Sequence, residues 1–248
     1  MRCMIFAAGM GTRLRPLTDR MPKALVPVSG HPLLEIAAAR LRRAGATELV
    51  VNVHHFADQI TAYLAEHDLG LPIRVSDESA ELLDTGGGLR HALPLFSRSA
   101  GDEPILIHNV DILSNADLPA LHAQHTAGDG ALLLVSERET SRYLLFDDAM
   151  RLVGWTNTAT GEVRSPYTDL RPEGLRHYAF SGIHSFSPRL YPFMESFPPR
   201  FSIIDFYLSI CDRIPIRACL QPGLRLLDVG KQDTLTRAEE FLRATGGC

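Results

Sequence analysis

The sequence predicts an α/β fold with a mixed, mostly parallel central sheet and a small β-rich insert. Three observations carry that expectation. Apolar runs at 4–8 and 104–110 read as central parallel strands covered on both faces, because they lack the alternation of a half-solvated strand. In the first half, short apolar runs alternate with segments of helical period, the β-α-β-α-β order that gives parallel pairing. From about residue 143 the pattern changes to short strands with no helices between them.

Taken in order, Met4-Ile5-Phe6-Ala7-Ala8 forms the first strand and Gly9 ends it. Residues 32–44 place Leu33, Ile36, Ala37 and Leu41 at helical spacing with basic residues between, and Gly45 terminates that helix. A strand at 48–53, a helix at 57–67 and a strand at 72–75 complete the first half. Asp84-Thr85-Gly86-Gly87-Gly88 reads as a loop leading into a short helix at 88–93. The strand at 104–110 follows, then a helix at 118–126 and a strand at 131–135. Residues 143–147 and 151–155 form two short strands turning at Asp148-Ala149, and 178–186 is another strand. The stretch 156–176, rich in Thr, Gly, Pro and charge, is the one long loop. Helical patterns return at 189–196 and 203–213, strands at 216–220 and 226–229, and a helix at 233–245 closes the chain. No internal repeat or low-complexity linker interrupts this order, and 248 residues with 45% hydrophobic content fit one domain better than two.

Composition limits the partners. A net charge of −4 gives no general affinity for nucleic acid or a membrane surface, so the partner is expected to be small. The first apolar run is too short for a signal peptide and no stretch approaches the length that spans a bilayer, so a cytoplasmic protein is expected. Cys3, Cys211, Cys219 and Cys248 show no C-x-x-C spacing and read as reduced thiols without chemistry.

The functional signal starts after the first strand. Gly9 and Gly11, on either side of Met10, let the backbone turn and bring its N–H groups close to an anion. Ala8 leads into this turn, Thr12 adds a hydroxyl, and Arg13, Arg15 and Lys23 follow within one short loop. A triphosphate fits such a cradle. A dinucleotide fingerprint is disfavoured, because Leu14 stands where a third Gly or Ala is needed and Val51-Asn52-Val53 lacks the acidic residue. A Walker-type loop is disfavoured because Lys23 comes late, after two prolines. An exposed loop cation should matter little to the fold, so Lys23→Ala is expected to cripple turnover and leave stability intact.

Two aspartates stand at strand ends. Asp111 follows the run Ile105-Leu106-Ile107 at the carboxyl end of a parallel strand, where open α/β sheets bind ligands. Asp228 ends the run Leu226-Leu227. Taken alone, each reads equally well as a turn or helix-cap residue; together they fit Mg²⁺, which takes one or two carboxylates along with phosphate oxygens.

The segments Gly9-x-Gly11-Thr12-Arg13-Leu14-x-Pro16-Leu17-Thr18 and Pro22-Lys23-Ala24-Leu25-Val26-Pro27-Val28 resemble the signature of the sugar-1-phosphate nucleotidylyltransferases. Leu83 to Gly88, Ile105 to Asp111, Phe180-Ser181-Gly182-Ile183 and Leu227-Asp228-Val229-Gly230 agree with that family in order and spacing. Length and the Asp-Thr-Gly-Gly-Gly segment look most like the compact N-acetylmuramate 1-phosphate uridylyltransferases. The resemblance implies a three-layer, Rossmann-like nucleotide-diphospho-sugar transferase fold, with a nucleotide-binding half over about 1–135 and a sugar-binding half over about 136–248. It implies transfer of a nucleotidyl group from a nucleoside triphosphate, UTP favoured, to a sugar 1-phosphate, with release of pyrophosphate.

Carried onto this chain, the resemblance makes Arg13 and Lys23 catalytic and assigns Mg²⁺ to Asp111 and Asp228. Nucleotide binding falls to Ala8, Gly9, Gly11, Thr12, Arg13, Lys23, Asp84, Thr85, Gly86, Gly87 and Asn109. Gly182 is expected to touch the sugar, with Trp155 and Asn157 as further sugar-side candidates. Two departures stand out. Val110 occupies the place of the family's glycine between Asn109 and Asp111, so its side chain points away from the ligand or the local path changes. Trp155-Thr156-Asn157 replaces the Glu-Lys-Pro whose lysine meets the sugar phosphate, leaving Arg142, Arg176 and Arg200 as unranked substitutes. The ten histidines are read as structural or substrate-lining. A phosphocholine cytidylyltransferase with Trp155, Tyr167 and Tyr178 as an aromatic cage, and a non-catalytic nucleotide-sugar sensor, stay open beside the main reading.

Overall fold

The computed structural model describes residues 1–97 and 101–245, so Cys248 lies outside the described residues. The chain runs β1 (Arg2–Phe6), β2 (Pro27–Val28), β3 (His31–Pro32), α1 (Leu33–Arg43), β4 (Glu48–Val53), α2 (Ala57–Glu66), β5 (Ile73–Asp77) and α3 (Asp84–Ala92). It continues with β6 (Ile105–Asn109), β7 (Ile112–Ser114), α4 (Leu118–Ala123), β8 (Ala131–Ser136), β9 (Arg142–Phe146), β10 (Leu152–Asn157), β11 (Glu162–Arg164) and β12 (Arg176–Phe186). The last elements are α5 (Tyr191–Met194), α6 (Ile203–Ile210), β13 (Ile216–Leu220), β14 (Leu226–Asp228) and α7 (Gln232–Thr245).

The large sheet is mixed, with its central strands parallel: β6-β1-β4-β5 run side by side in one direction, and β13 joins β8 in parallel. Antiparallel ladders are confined to the long strand β12, which joins β6, β8 and β9, and to the insert β9-β10-β11. β1 and β4 are buried along their whole length, which is why their sequences are continuously apolar or nearly so.

Apolar clusters cover both faces. On one face Cys3, Ile5, Leu49 and Val51 meet Leu33, Leu34, Ala37 and Leu41 of α1 and Ala238 and Leu242 of α7. On the other, Met4, Phe6 and Val50 meet Leu89 of α3 and Ile203, Phe206 and Tyr207 of α6. The result is the helix-sheet-helix arrangement expected from an alternating pattern. α1 stops where the pattern ends because Gly45 adopts φ 91°, so that Gly45 N–H donates to the Arg42 carbonyl and Ala46 N–H to that of Leu41.

Several expectations needed correction. Asp84 to Gly88 is not a loop before a helix; it is the first part of α3 itself. The stretch 156–176 holds β11, which pairs with the end of β10. The expected helix at 189–196 shrinks to a 3₁₀ turn and the four residues of α5. β7 went unseen, since three residues directly after another strand carry too little periodicity to separate.

Candidate active site

The carboxyl ends of the central strands come level. Phe6 pairs in register with Asn52 on one side and Asn109 on the other, so the residues that follow β1 and β6 emerge along one edge. There they line a cleft of about 400 Å³ together with Arg13, Lys23, Leu82, Asp84, Thr85, Arg200 and Gly230. Ala7 through Thr12 form one wall and Asn109 to Asp111 the floor.

Gly11 sits at φ 62°, in the left-handed region, and a Cβ there would meet Thr18 Cγ2 at 2.8 Å and Lys23 Cβ at 3.1 Å. A glycine is therefore required twice over, by the backbone and by the close approach of its neighbours. The Thr18 hydroxyl donates to the Gly11 carbonyl at 2.8 Å, and Gln232 of α7 donates to the Arg15 carbonyl at 2.6 Å. The loop is thus tied at both ends. Gly9, Met10, Thr12 and Arg13 remain exposed.

Asp111 and Asp228 are brought together by the small β7-β14 ladder, in which Asp228 stands opposite Ile112. Val229 N–H donates to the Asp111 carbonyl at 2.8 Å. Burial first, and the Asp111 charge second, push the Asp228 carboxyl above the usual carboxylate range. Asp228 Oδ1 is buried and has no hydrogen-bond partner among the described residues. Two carboxylates at one point, one of them with an orphaned oxygen, fit a divalent cation, which favours their charged forms. Among the described residues no group of three His, Cys, Asp or Glu could hold a metal, so the pair would leave the rest of the coordination to phosphate and water. Gly230 lets the loop close here, because a Cβ would come within 2.7 Å of Asp228 Oδ1 and 2.9 Å of an Arg13 terminal nitrogen.

Lys23 is not an exposed loop cation. It is 7% exposed and forms an ion pair with the Asp111 carboxylate, so the expectation that its removal spares stability is corrected. Val110 is buried in the apolar cluster with Leu113 and Ile183 while still contributing to the cleft floor.

The other end of the cleft is built on a buried relay. Asn52 Oδ1 accepts from Ala7 N–H at 2.8 Å, and its Nδ2 donates to Glu78 Oε1 at 2.7 Å. Glu78, 3% exposed and held above its ordinary pKa by burial, also accepts from Leu83 N–H at 3.3 Å. One amide and one carboxylate thus couple the glycine loop to the start of α3. Neither was picked out from the sequence, because buried polar residues inside strand-like patterns carry no spacing signal.

Gly86 and Gly87 do not face the cleft. Both donate their N–H to the Phe201 carbonyl, at 2.9 and 3.2 Å, and a Cβ on either would collide with Phe201 or Pro199. Their smallness serves the packing of α3 against the segment before α6, while Asp84 and Thr85 alone of that motif line the cleft. Gly182, at φ 73°, lies behind Asn109, whose Nδ2 would be 2.7 Å from a Cβ.

The sugar-side candidates fare differently. Trp155 is 9% exposed, lies in the core cluster with Phe146 and Tyr178, and carries the Arg164 guanidinium 3.9 Å over its ring. Asn157 caps the β10-β11 turn, accepting from Ala159 N–H at 3.1 Å. Neither lines the cleft. The cation site on Trp155 is already filled by Arg164, and Tyr178 is buried, so no open aromatic cage exists around Trp155, Tyr167 and Tyr178. Of the three candidate arginines, Arg176 is engaged with Asp148, Arg142 starts the insert, and Arg200 lines the cleft. Arg138, which the sequence did not single out, donates to the Phe180 carbonyl at 3.3 Å, and its charge bears on Asp228. No histidine among the described residues lines the cleft: His108 and His184 are buried, which pulls their pKa values down to about 4 and about 3, and His54 is held by the Glu78 carbonyl.

Comparison with known proteins finds relatives by sequence and by fold. N-acetylmuramate alpha-1-phosphate uridylyltransferase of Caulobacter vibrioides is 47% identical over 111 residues, covering 44% of each chain. The protein of the same name from Neisseria meningitidis serogroup B is 43% identical over 121 residues, covering 48% of this chain and 51% of that one. This chain therefore matches about half the length of these curated relatives. HddC from Yersinia pseudotuberculosis superimposes with a TM-score of 0.74 at 20% identity, covering 96% of this chain and 98% of the other. The inositol-1-phosphate CTP transferase of T. maritima gives 0.77 at 17% identity, covering 98% and 95%. These solved structures establish the fold. No described helix is long and apolar enough to cross a membrane. Residues 3–166 match the model of the MobA-like NTP transferase domain, two-thirds of the sequence including the glycine loop, Lys23, Asp84 and Asp111, and the chain belongs to that family.

Proposed function

We propose that this protein transfers a nucleotidyl group from a nucleoside triphosphate, UTP favoured, to a sugar 1-phosphate, releasing pyrophosphate and yielding a nucleotide-diphospho-sugar. The observation that carries the reading is the convergence, at one cleft, of the glycine loop with Arg13 and the Lys23–Asp111 pair, with the buried, orphaned oxygen of Asp228 beside the cleft-lining Gly230. Relatives named as uridylyltransferases of a sugar phosphate support both substrates.

The attacking group is already ionised, so no general base is needed and no covalent enzyme intermediate forms. The chain's work is positioning and charge neutralisation. Backbone donors from Gly9 to Thr12 and the Arg13 guanidinium receive the triphosphate. Lys23, held on Asp111, is poised beside them to take charge developing on the leaving pyrophosphate. Asp111 and Asp228 would hold Mg²⁺, which when bound supplies neutralisation at the phosphate oxygens. Arg200, the one of the three candidate arginines that lines the cleft, is assigned to the sugar phosphate in place of the missing lysine, with Asn109 and Gly182 shaping the floor.

The test is pyrophosphate release from the common nucleoside triphosphates crossed with sugar 1-phosphates and phosphocholine, with and without Mg²⁺. Turnover of UTP with N-acetylmuramic acid 1-phosphate or a related hexose 1-phosphate is expected, and Arg200→Ala should raise the KM for the sugar phosphate alone. Preference for phosphocholine, or turnover indifferent to chelation, overturns the reading.

A further inference from the structure

Glu78 is a buried carboxylate with no part in the chemistry described above. It forms no ion pair among the described residues, and its side chain is held by the Asn52 amide and Leu83 N–H. Asn52 borders the cleft but is only 2% exposed, with its oxygen committed to Ala7 N–H and its nitrogen to Glu78. Ala7 N–H can meet only an acceptor and the carboxylate only a donor, so the amide between them has a single satisfied orientation. The two backbone N–H groups captured at the ends of this relay belong to opposite walls of the cleft: Ala7 leads into the glycine loop, and Leu83 immediately precedes Asp84. α3 is pressed onto the relay, since a Cβ on Gly88 would come within 2.6 Å of Glu78 Oε1 and 2.9 Å of Asn52 Nδ2. Stability alone does not call for such a device, because replacing both members of a buried hydrogen-bonded pair by apolar groups of the same shape is nearly neutral. Apolar side chains cannot supply a connection of fixed length and direction between two backbone segments.

We propose that Asn52 and Glu78 are positioning residues, which set the separation of the glycine loop from the start of α3 and thereby the placement of the bound triphosphate for in-line attack. This rests on the nucleotidyl-transfer reading above. Asn52 acts through Ala7, and Glu78 acts through Asn52 and Leu83. A misplacement of about 1 Å at a reacting centre costs about a hundredfold in rate, so a wall held by these hydrogen bonds matters more to turnover than to the fold.

Near-isosteric apolar replacements in the full chain separate the two roles. Asn52→Leu leaves the Glu78 carboxylate without its amide, and Glu78→Leu leaves the Asn52 amide without its acceptor, so each single variant should melt below the unaltered chain. The double variant Asn52→Leu/Glu78→Leu leaves neither side chain with an orphaned polar atom and should recover most of the Tm. Turnover should not follow it. The kcat for pyrophosphate release from UTP and a sugar 1-phosphate, measured on folded protein well below each Tm, should fall at least about tenfold in all three. The double should fall no further than the worse single, because one relay is broken in each. Glu78→Gln keeps an acceptor for Asn52 but sets its own amide N–H against that of Leu83, so it should fold with a kcat between those of the unaltered chain and Glu78→Leu. A double variant with kcat within about threefold of the unaltered chain, or Glu78→Gln with unchanged kcat, shows that the relay serves stability alone; either result overturns the proposal and leaves nucleotidyl transfer standing. Absence of turnover by the unaltered chain with every nucleoside triphosphate and sugar 1-phosphate overturns both.

Discussion

Replacing Lys23 tests the centre of the site in two independent ways. The Lys23 and Asp111 side chains are 9% and 18% exposed, and they pair directly. Removing one member of a fully buried ion pair costs about 3–5 kcal/mol, because the other charge is left without compensation. Residual exposure lets water screen Asp111, so we expect about 2 kcal/mol for Lys23→Ala. In a chain of this size that is a fall in Tm of about 4–8 °C. Combining Lys23→Met with Asp111→Asn removes both charges, and the loss should then be smaller than the sum of the single changes. Calorimetric melts in metal-free buffer measure this, and pyrophosphate release measures turnover, which should stay crippled in every variant including the double. Unchanged stability of Lys23→Ala would show that the pair is not formed in solution. Near-normal turnover of the same variant would remove Lys23 from the catalytic assignment.

Asp228→Asn should make turnover far more demanding of Mg²⁺ while leaving the metal-free fold as stable or more so, since it removes a charge from beside Asp111; an unaltered Mg²⁺ dependence refutes the metal role. Gly11→Ala should lower stability by about 2 kcal/mol through the left-handed backbone and the Thr18 contact, and raise the KM for the triphosphate, both read by melts and steady-state kinetics. His184 is held neutral in the fold, with its pKa lowered to about 3, so it contributes stability above the ordinary imidazole range that is lost as pH falls from about 6.5 toward that value. His184→Leu, which also removes two buried nitrogens without partners, should keep or raise Tm at pH 7 and flatten the acid slope; a steeper slope contradicts the assignment. Trp155→Phe should lower Tm by weakening the Arg164 stack and leave the KM of both substrates within about twofold, against the idea of a sugar platform.

Period and composition alone indicated the β1 to β5 half, because β1 and β4 are buried along their whole length and α1 buries one face. The same physics marked the glycine loop: two glycines and clustered cations in a short span are a local arrangement that needs no distant partner to be read. Asp111 and Asp228 were legible as strand-end carboxylates. Their meeting was not, since it depends on β7, three residues long, pairing with β14 across nearly half the chain. Lys23 looked exposed because loop cations usually are; only the fold places Asp111 against it and removes it from water. The three glycines after Thr85 looked like a ligand surface, yet the Phe201 carbonyl claims the N–H groups of Gly86 and Gly87, and Glu78 and Asn52 close in on Gly88, which turns them into a packing face. Trp155 was ambiguous for the same reason: an aromatic ring is equally suited to sugar and to core, and the position of Arg164 above it decided the matter. Sequence determined what is local, the apolar strands, the helix stops and the phosphate cradle. Tertiary structure decided which distant polar groups share a desolvated space, and that alone fixes their charge state and their availability to a ligand.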